Sequence, residues 1–136
     1  MNKLFTPLAA IALSAVLAAC SGAGSSPEGT AKAFIEKTYQ GDADGAMALI
    51  DIPAEAKDKP GVEEMVNGKI KAGVAQSKAR ADQLGGVDEV TAQPFQASPQ
   101  DAKQGRVQVD VRFKQGNTKT ENVSVIETDH GWKIKL

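Results

Sequence analysis

Val107-Gln108-Val109-Asp110-Val111-Arg112-Phe113 alternates apolar and polar side chains without a break. Successive strand residues point to opposite faces, so this run predicts a strand with one dry face and one wet face. Downstream, Gln115-Gly116-Asn117 has the composition of a turn, and Lys119 to Thr128 predicts another long strand with Val123 and Val125 on the dry side. Asp129-His130-Gly131 then predicts a tight hairpin leading into Trp132, Ile134 and Leu136, which alternate to the end of the sequence. Upstream, Val87 to Phe95 predicts a first strand, followed by a connector that contains Pro94 and Pro99. Four strands in this succession make an antiparallel sheet, apolar on one face.

Ahead of Gly86 the period is helical. Ser26-Pro27 supplies a cap and a first-turn proline, and Ala31, Phe34, Ile35 and Thr38 share one face of a short helix. Gly41 ends it; Asp42 caps a second short helix through Ala46, Leu49 and Ile50 that stops before Pro53. Ile52 to Lys59 is a charged connector. The longest helix runs from Gly61 to Leu84, with Val62, Met65, Val66, Ile70, Gly73, Ser77 and Leu84 on one face. Gly73 on that face predicts the close approach of another backbone. Helices first and strands afterwards define an α+β class: two short helices and one long one packed on a curved four-stranded antiparallel sheet, in a single domain over residues 27–136. A chain of this size can enclose one core without metals or disulfides.

The N-terminus carries an address. Lys3, an apolar segment from Leu8 to Leu17 and small residues at the exit are the three parts of an export signal over residues 1–19. The ending Leu17-Ala18-Ala19-Cys20 resembles the lipobox of bacterial lipoprotein precursors. That resemblance implies cleavage between Ala19 and Cys20 and acylation of the Cys20 thiol, the only cysteine in the chain. A spanning helix needs about 20 apolar residues, whereas this run contains Pro7 and is followed at once by Ser21-Gly22-Ala23-Gly24-Ser25-Ser26. Residues 20–26 are therefore expected to be a lipidated cysteine and a flexible tether. The expected partner is a membrane, held through the lipid on Cys20. Ser21 in the second position resembles the sorting signal for the outer membrane of two-membrane bacteria, with the domain facing the periplasm.

Ser26-Pro27-Glu28-Gly29-Thr30-Ala31-Lys32-Ala33-Phe34, Gly41-Asp42-Ala43-Asp44-Gly45-Ala46 and Asp129-His130-Gly131-Trp132-Lys133-Ile134 resemble a family of small bacterial lipoproteins of unknown function with the nuclear-transport-factor-like, or cystatin-like, fold. The resemblance implies a curved sheet wrapped around a long helix, and it carries no catalytic residue.

Some enzymes of that fold superfamily perform proton transfer with polar groups pointing inward from the sheet. Here the inward positions Val107, Val109, Val111, Phe113, Val123, Val125, Trp132 and Ile134 describe a dry core. His130 is the only imidazole and lies in a turn; with Asp129 alone it lacks the ligands for a metal. No cofactor is expected. Tyr39, Met65 and Trp132 are candidates for the mouth of a pocket, with core plugs as the plainer account of the two aromatics. Asp42 and Asp44 stand where helix amides need acceptors.

Charge divides along the chain: Pro27 to Ala102 holds 8 basic and 13 acidic residues, and Lys103 to Leu136 holds 7 basic and 4 acidic. Arg106, Arg112, Lys114, Lys133 and Lys135 are expected on the outer face or rim of the sheet, either as a solvated face or as a surface for an envelope protein or anionic envelope polymer. The compartment and the modest charge exclude nucleic acid. Together these features predict a membrane-anchored, non-enzymatic binding or interaction module of the cell envelope. The alternative is a small-molecule carrier or degenerate enzyme using the cavity between sheet and helices.

Overall fold

The computed structural model describes residues 24–136, so the signal segment, its cleavage point after Ala19, and Cys20 lie outside the described residues. The elements follow in the order α1 (Pro27–Gln40), α2 (Ala43–Ala48), α3 (Ala54–Lys57), α4 (Val62–Gln83), β1 (Val87–Ala92), β2 (Gln96–Ala97), β3 (Gln104–Phe113), β4 (Thr118–Thr128) and β5 (Gly131–Ile134).

Local chemistry sets the helix ends. The Ser26 hydroxyl accepts the Gly29 N–H at 2.9 Å, with Pro27 in the first turn, and α1 stops at Gly41, where φ is +81°. Asp42 caps α2 by accepting the Gly45 N–H at 2.8 Å, and its other oxygen lies 3.1 Å from Lys37 Nζ. The charged connector contains one helical turn, α3, because Pro53 has φ −55°, a geometry suited to starting a helix.

All strand pairings are antiparallel and the sheet order is β1-β3-β4-β5, with the two-residue β2 beside β3 on the same edge as β1. The first strand ends at Ala92 rather than Phe95. Pro94 has no N–H to pair, and Phe95 turns its own N–H to Glu28 Oε1 in the first turn of α1, at 2.9 Å. Val107, Val109, Val111, Phe113, Val123, Val125 and Ile134 are buried, as the alternation predicts; Trp132 is half-buried. Leu136 is 69% exposed, against the expected continuation, because pairing with β4 gives out after the Lys135 N–H reaches the Ser124 carbonyl.

The helix held in the concavity of the sheet is α1. Its Ala31, Ile35 and Tyr39 recur every four residues and are buried, and α1 touches β1, β3, β4 and β5. The longer α4 packs on α1, α2 and α3 instead. Its buried residues are Val74 and Ala81, with Ile70, Ser77 and Leu84 half-buried in the same row. Met65 and Gly73 do not belong to that row: Met65 is 53% exposed, and a Cβ built on Gly73 would meet nothing within 4 Å. The predicted close backbone approach at Gly73 is thus corrected to open solvent, since the contact row is centred on Ile70, Val74, Ser77 and Ala81 and leaves Gly73 at its margin.

The tether is shorter than expected. Gly24 donates its N–H to Thr30 Oγ1 at 2.8 Å and accepts the Trp132 N–H at 2.9 Å, so it is fastened to both α1 and β5. Gly131, at φ +93°, makes room for this: a Cβ there would come within 2.6 Å of the Gly24 carbonyl oxygen.

Candidate functional site

The inward alternation of β4 continues past Val123 toward the start of the strand. Glu121 is paired with Val109 and Lys119 with Val111, both buried on the inner face, so two charged side chains stand on the concave side. The last turn of α1 brings Tyr39 over them. Its ring is 5% exposed and meets Phe113 edge-on, with centroids 5.5 Å apart. Its hydroxyl donates to Glu121 Oε1 at 2.9 Å, and Lys119 Nζ approaches the same oxygen at 2.9 Å. From α4, Gln76, Ser77 and Arg80 complete a hollow of about 190 Å³ with Tyr39 and Lys119.

Electrostatics follow from this packing. Burial, reinforced by the hydrogen bond to Glu121, holds the Tyr39 phenol well above its ordinary value of 10.0, and the nearby Arg80 offsets this only in part. Tyr39 is a fixed donor at neutral pH, and a poor proton acceptor for acid–base chemistry. Glu121 is occupied by Tyr39 and Lys119. Arg80 has no ion-pair partner among the described residues, so the hollow presents a surplus of positive charge. A planar guanidinium beside an ammonium, over a frame fixed by hydrogen bonds, is suited to a carboxylate or phosphate group.

The inner face is therefore only partly dry, contrary to expectation. Lys119 and Glu121 were legible in principle, since they continue the period-two pattern of Val123 and Val125. Charged residues default to the wet face, and that default hides them. The expected pocket mouth is not assembled: Tyr39 lines the hollow, neither Met65 nor Trp132 reaches it, and Trp132 packs edge-on against Phe95 with centroids 5.1 Å apart.

The expected basic face is divided. Arg112 lies 3.0 Å from Asp88 and 2.8 Å from Glu89, Lys114 runs past Gly86, and Lys133 Nζ donates to the Ala48 carbonyl at 3.1 Å. Arg106 and Lys135 remain together on a hollow of about 460 Å³ on the outer face, with Gln104 and Ser124 between them. His130 occupies the β4–β5 turn, its N–H donating to Thr128 Oγ1 at 3.1 Å, and no cluster of three His, Cys, Asp or Glu suited to a metal occurs among the described residues.

Residues 18–135 match the family described as a domain of unknown function, DUF4878. The chain belongs to that family. The DUF4878 domain also matches a crystal structure from Campylobacter jejuni, provisionally named an NTF2-like transpeptidase. The TM-score is 0.73 at 28% identity, covering 82% of this chain and 99% of that one. Among curated proteins, none matches. The fold of this DUF4878 domain is thus NTF2-like, helices packed against a curled antiparallel half-barrel. Among the described residues no helix is long and apolar enough to cross a membrane.

Proposed function

We propose that this DUF4878 protein is a lipid-anchored module of the bacterial cell envelope, outer membrane and periplasmic side, whose concave hollow binds an anionic group without transforming it. The observation that carries this is Arg80, unpaired among the described residues and set beside Lys119 on the Tyr39–Glu121 frame. The anchor is supported by the export segment and by Leu17-Ala18-Ala19-Cys20; the family match begins at Ala18 and so includes Cys20.

Size favours binding a group over enclosing a molecule. Sites that bury a whole small ligand run to about 300–1,000 Å³, and this hollow is about 190 Å³. It accommodates a carboxylate or phosphate projecting from an envelope polymer or an acidic protein segment, which weighs against a small-molecule carrier. The name of the Campylobacter jejuni neighbour suggests a second function, acyl transfer. That chemistry needs a nucleophile with a base in hydrogen-bond reach; of the two hydroxyls lining the hollow, Ser77 has no hydrogen-bonded base among the described residues, and the Tyr39 phenol, held well above its ordinary value, faces a Glu121 carboxylate already paired with Lys119.

Titration of the purified domain with inorganic phosphate and with N-acetylglutamate, followed by the backbone amide NMR signals of Tyr39, Ser77 and Lys119, tests the site. Saturable shifts that vanish in Arg80→Ala support it; shifts that persist in that variant remove it. Metabolic labelling with an alkyne fatty acid tests the anchor, with incorporation expected in the wild type and lost in Cys20→Ser.

A further inference from the structure

We infer that the domain meets the bilayer with the end that carries Gly24, Phe95, Trp132 and the β4–β5 hairpin, so that the concave hollow opens away from the membrane holding it. This rests on the lipid anchor proposed above and adds an orientation to it. Gly24 is fixed to the fold at both its N–H and its carbonyl. Only Ser21, Gly22 and Ala23 separate it from Cys20. Consecutive Cα atoms are 3.8 Å apart, so whatever path the chain takes Cys20 lies within about 15 Å of Gly24.

The two elements that build the hollow both run away from that point. Thr30, near the start of α1, lies at Trp132, with its Oγ1 3.4 Å from the Trp132 carbonyl, while Tyr39 at the other end of α1 reaches Glu121. Between Thr30 and Tyr39 the helix rises about 14 Å, and from Thr128 back to Lys119 the strand covers about 30 Å. Gly24, from which the lipid is tethered, therefore lies at the end of the half-barrel opposite the hollow.

The near end has the chemistry of an interface. Phe95 and Trp132 are half-buried and stacked edge-on, an aromatic pair with one side in the protein and one side available to the headgroup layer. Its charges are mixed, with Glu28, Glu127 and Asp129 beside Lys103 and Lys133, so tether length and aromatics set the orientation and screening by salt should leave it in place.

Trp132 is the only tryptophan in the chain, which makes it a built-in probe. The acylated full chain, purified from membranes, is bound to vesicles of equal parts phosphatidylethanolamine and phosphatidylglycerol, with and without a headgroup nitroxide lipid. Loss of most of the Trp132 emission is expected, with little loss for an Asn117→Trp probe at the β3–β4 turn in a Trp132→Phe background. Equal quenching at both positions, or stronger quenching at 117, overturns the orientation. The wild type alone gives an independent check: Trp132 should lose access to aqueous iodide on vesicle binding, and unchanged iodide quenching contradicts the inference. Flotation separates the two claims. A wild-type chain that fails to float with the vesicles overturns the anchor and the orientation together, whereas one that floats with Trp132 exposed overturns the orientation alone.

Discussion

The hollow at Tyr39 and the hollow at Arg106 are each bordered by a pair of cations, and they differ in what stands behind the charges. On the concave side, Lys119 shares Glu121 with Tyr39, whose ring is wedged on Phe113, so the charged rim is continuous with the buried core. On the outer side, Lys135 Nζ reaches only Gln104 Oε1, and Arg106 projects from an exposed strand position with no ion pair among the described residues. The outer hollow is the larger, at about 460 Å³ against 190 Å³, yet neither of its cations is tied to the core, whereas in the concave hollow Lys119 is and only the exposed Arg80 remains to be ordered by whatever binds there. Ordering each long side chain costs about 0.5–1.5 kcal/mol, so the smaller and better-braced hollow is the stronger candidate for recognition.

The most damaging way to break this contrast is to remove the wall behind the concave rim. Phe113 is 2% exposed and touches Tyr39, and Phe113→Ala is expected to cost about 3–5 kcal/mol in urea unfolding. Arg106→Ala on the outer face should stay within about 0.5 kcal/mol. Comparable losses from both would mean that the two hollows are equally tied to the core.

Next in size is Tyr39→Phe, which keeps the ring and deletes the donor to Glu121. Removal of a hydrogen bond to a charged group is expected to cost about 1.5–3 kcal/mol, read as a shifted urea midpoint with unchanged slope. An unchanged midpoint would show that water replaces the phenol freely and that the rim is not braced.

Binding sharpens the comparison without touching stability. Arg80→Ala should weaken phosphate or carboxylate binding about tenfold or more, about 1.4 kcal/mol, while the double variant Arg106→Ala, Lys135→Ala leaves it unchanged. The reverse pattern would move recognition to the outer face. Arg112 and Lys133 are poor choices for such a test, because Asp88, Glu89 and the Ala48 carbonyl already hold them.

How far the sequence could lead differs between these same regions. The succession of elements, the Ser26 and Asp42 caps, the Gly41 stop and the buried Val107–Phe113 row follow from short-range rules that the residues obey individually. The inner-face placement of Lys119 and Glu121 depends on strand register, which is fixed by pairing with β3 and not by the polarity of the side chains themselves. Arg80 joins them only because α4 crosses α1 with Val74 and Ala81 facing inward. Ile70 and Leu84 mark that row in the sequence, but Val74 and Ala81 at its centre lie off the expected face, which Met65 and Gly73 draw to one side. Gly24 was hidden for a similar reason: a Gly/Ser run has tether composition, and the long-range hydrogen bond to Trp132 pins it nonetheless.

The smallest expected effects are pH-dependent, and they assign the two limbs of the stability profile to opposite faces. Tyr39 has its phenol raised above 10.0 in the folded state, so its contribution is complete below that pH and is lost as pH rises beyond it and the unfolded phenol ionises. Tyr39 is the only tyrosine, and tyrosinate absorbance should therefore appear only together with alkaline unfolding. On the outer face, hydrogen bonds from Thr120 and Gln93 hold the Asp110 carboxyl below its ordinary 3.8, and at the α2 cap the Gly45 N–H and Lys37 do the same for Asp42. Those contributions are present above that pH and decline as pH falls through the lowered values. Both carboxylates are solvated, so the acid limb should be shallow. Urea midpoints measured across pH for the wild type, Tyr39→Phe and Asp110→Asn should show the alkaline fall flattened only in the first variant and the acid fall only in the second. An alkaline fall that survives Tyr39→Phe would detach the phenol from the stability of the concave rim and, with it, the bracing that distinguishes that hollow from the outer one.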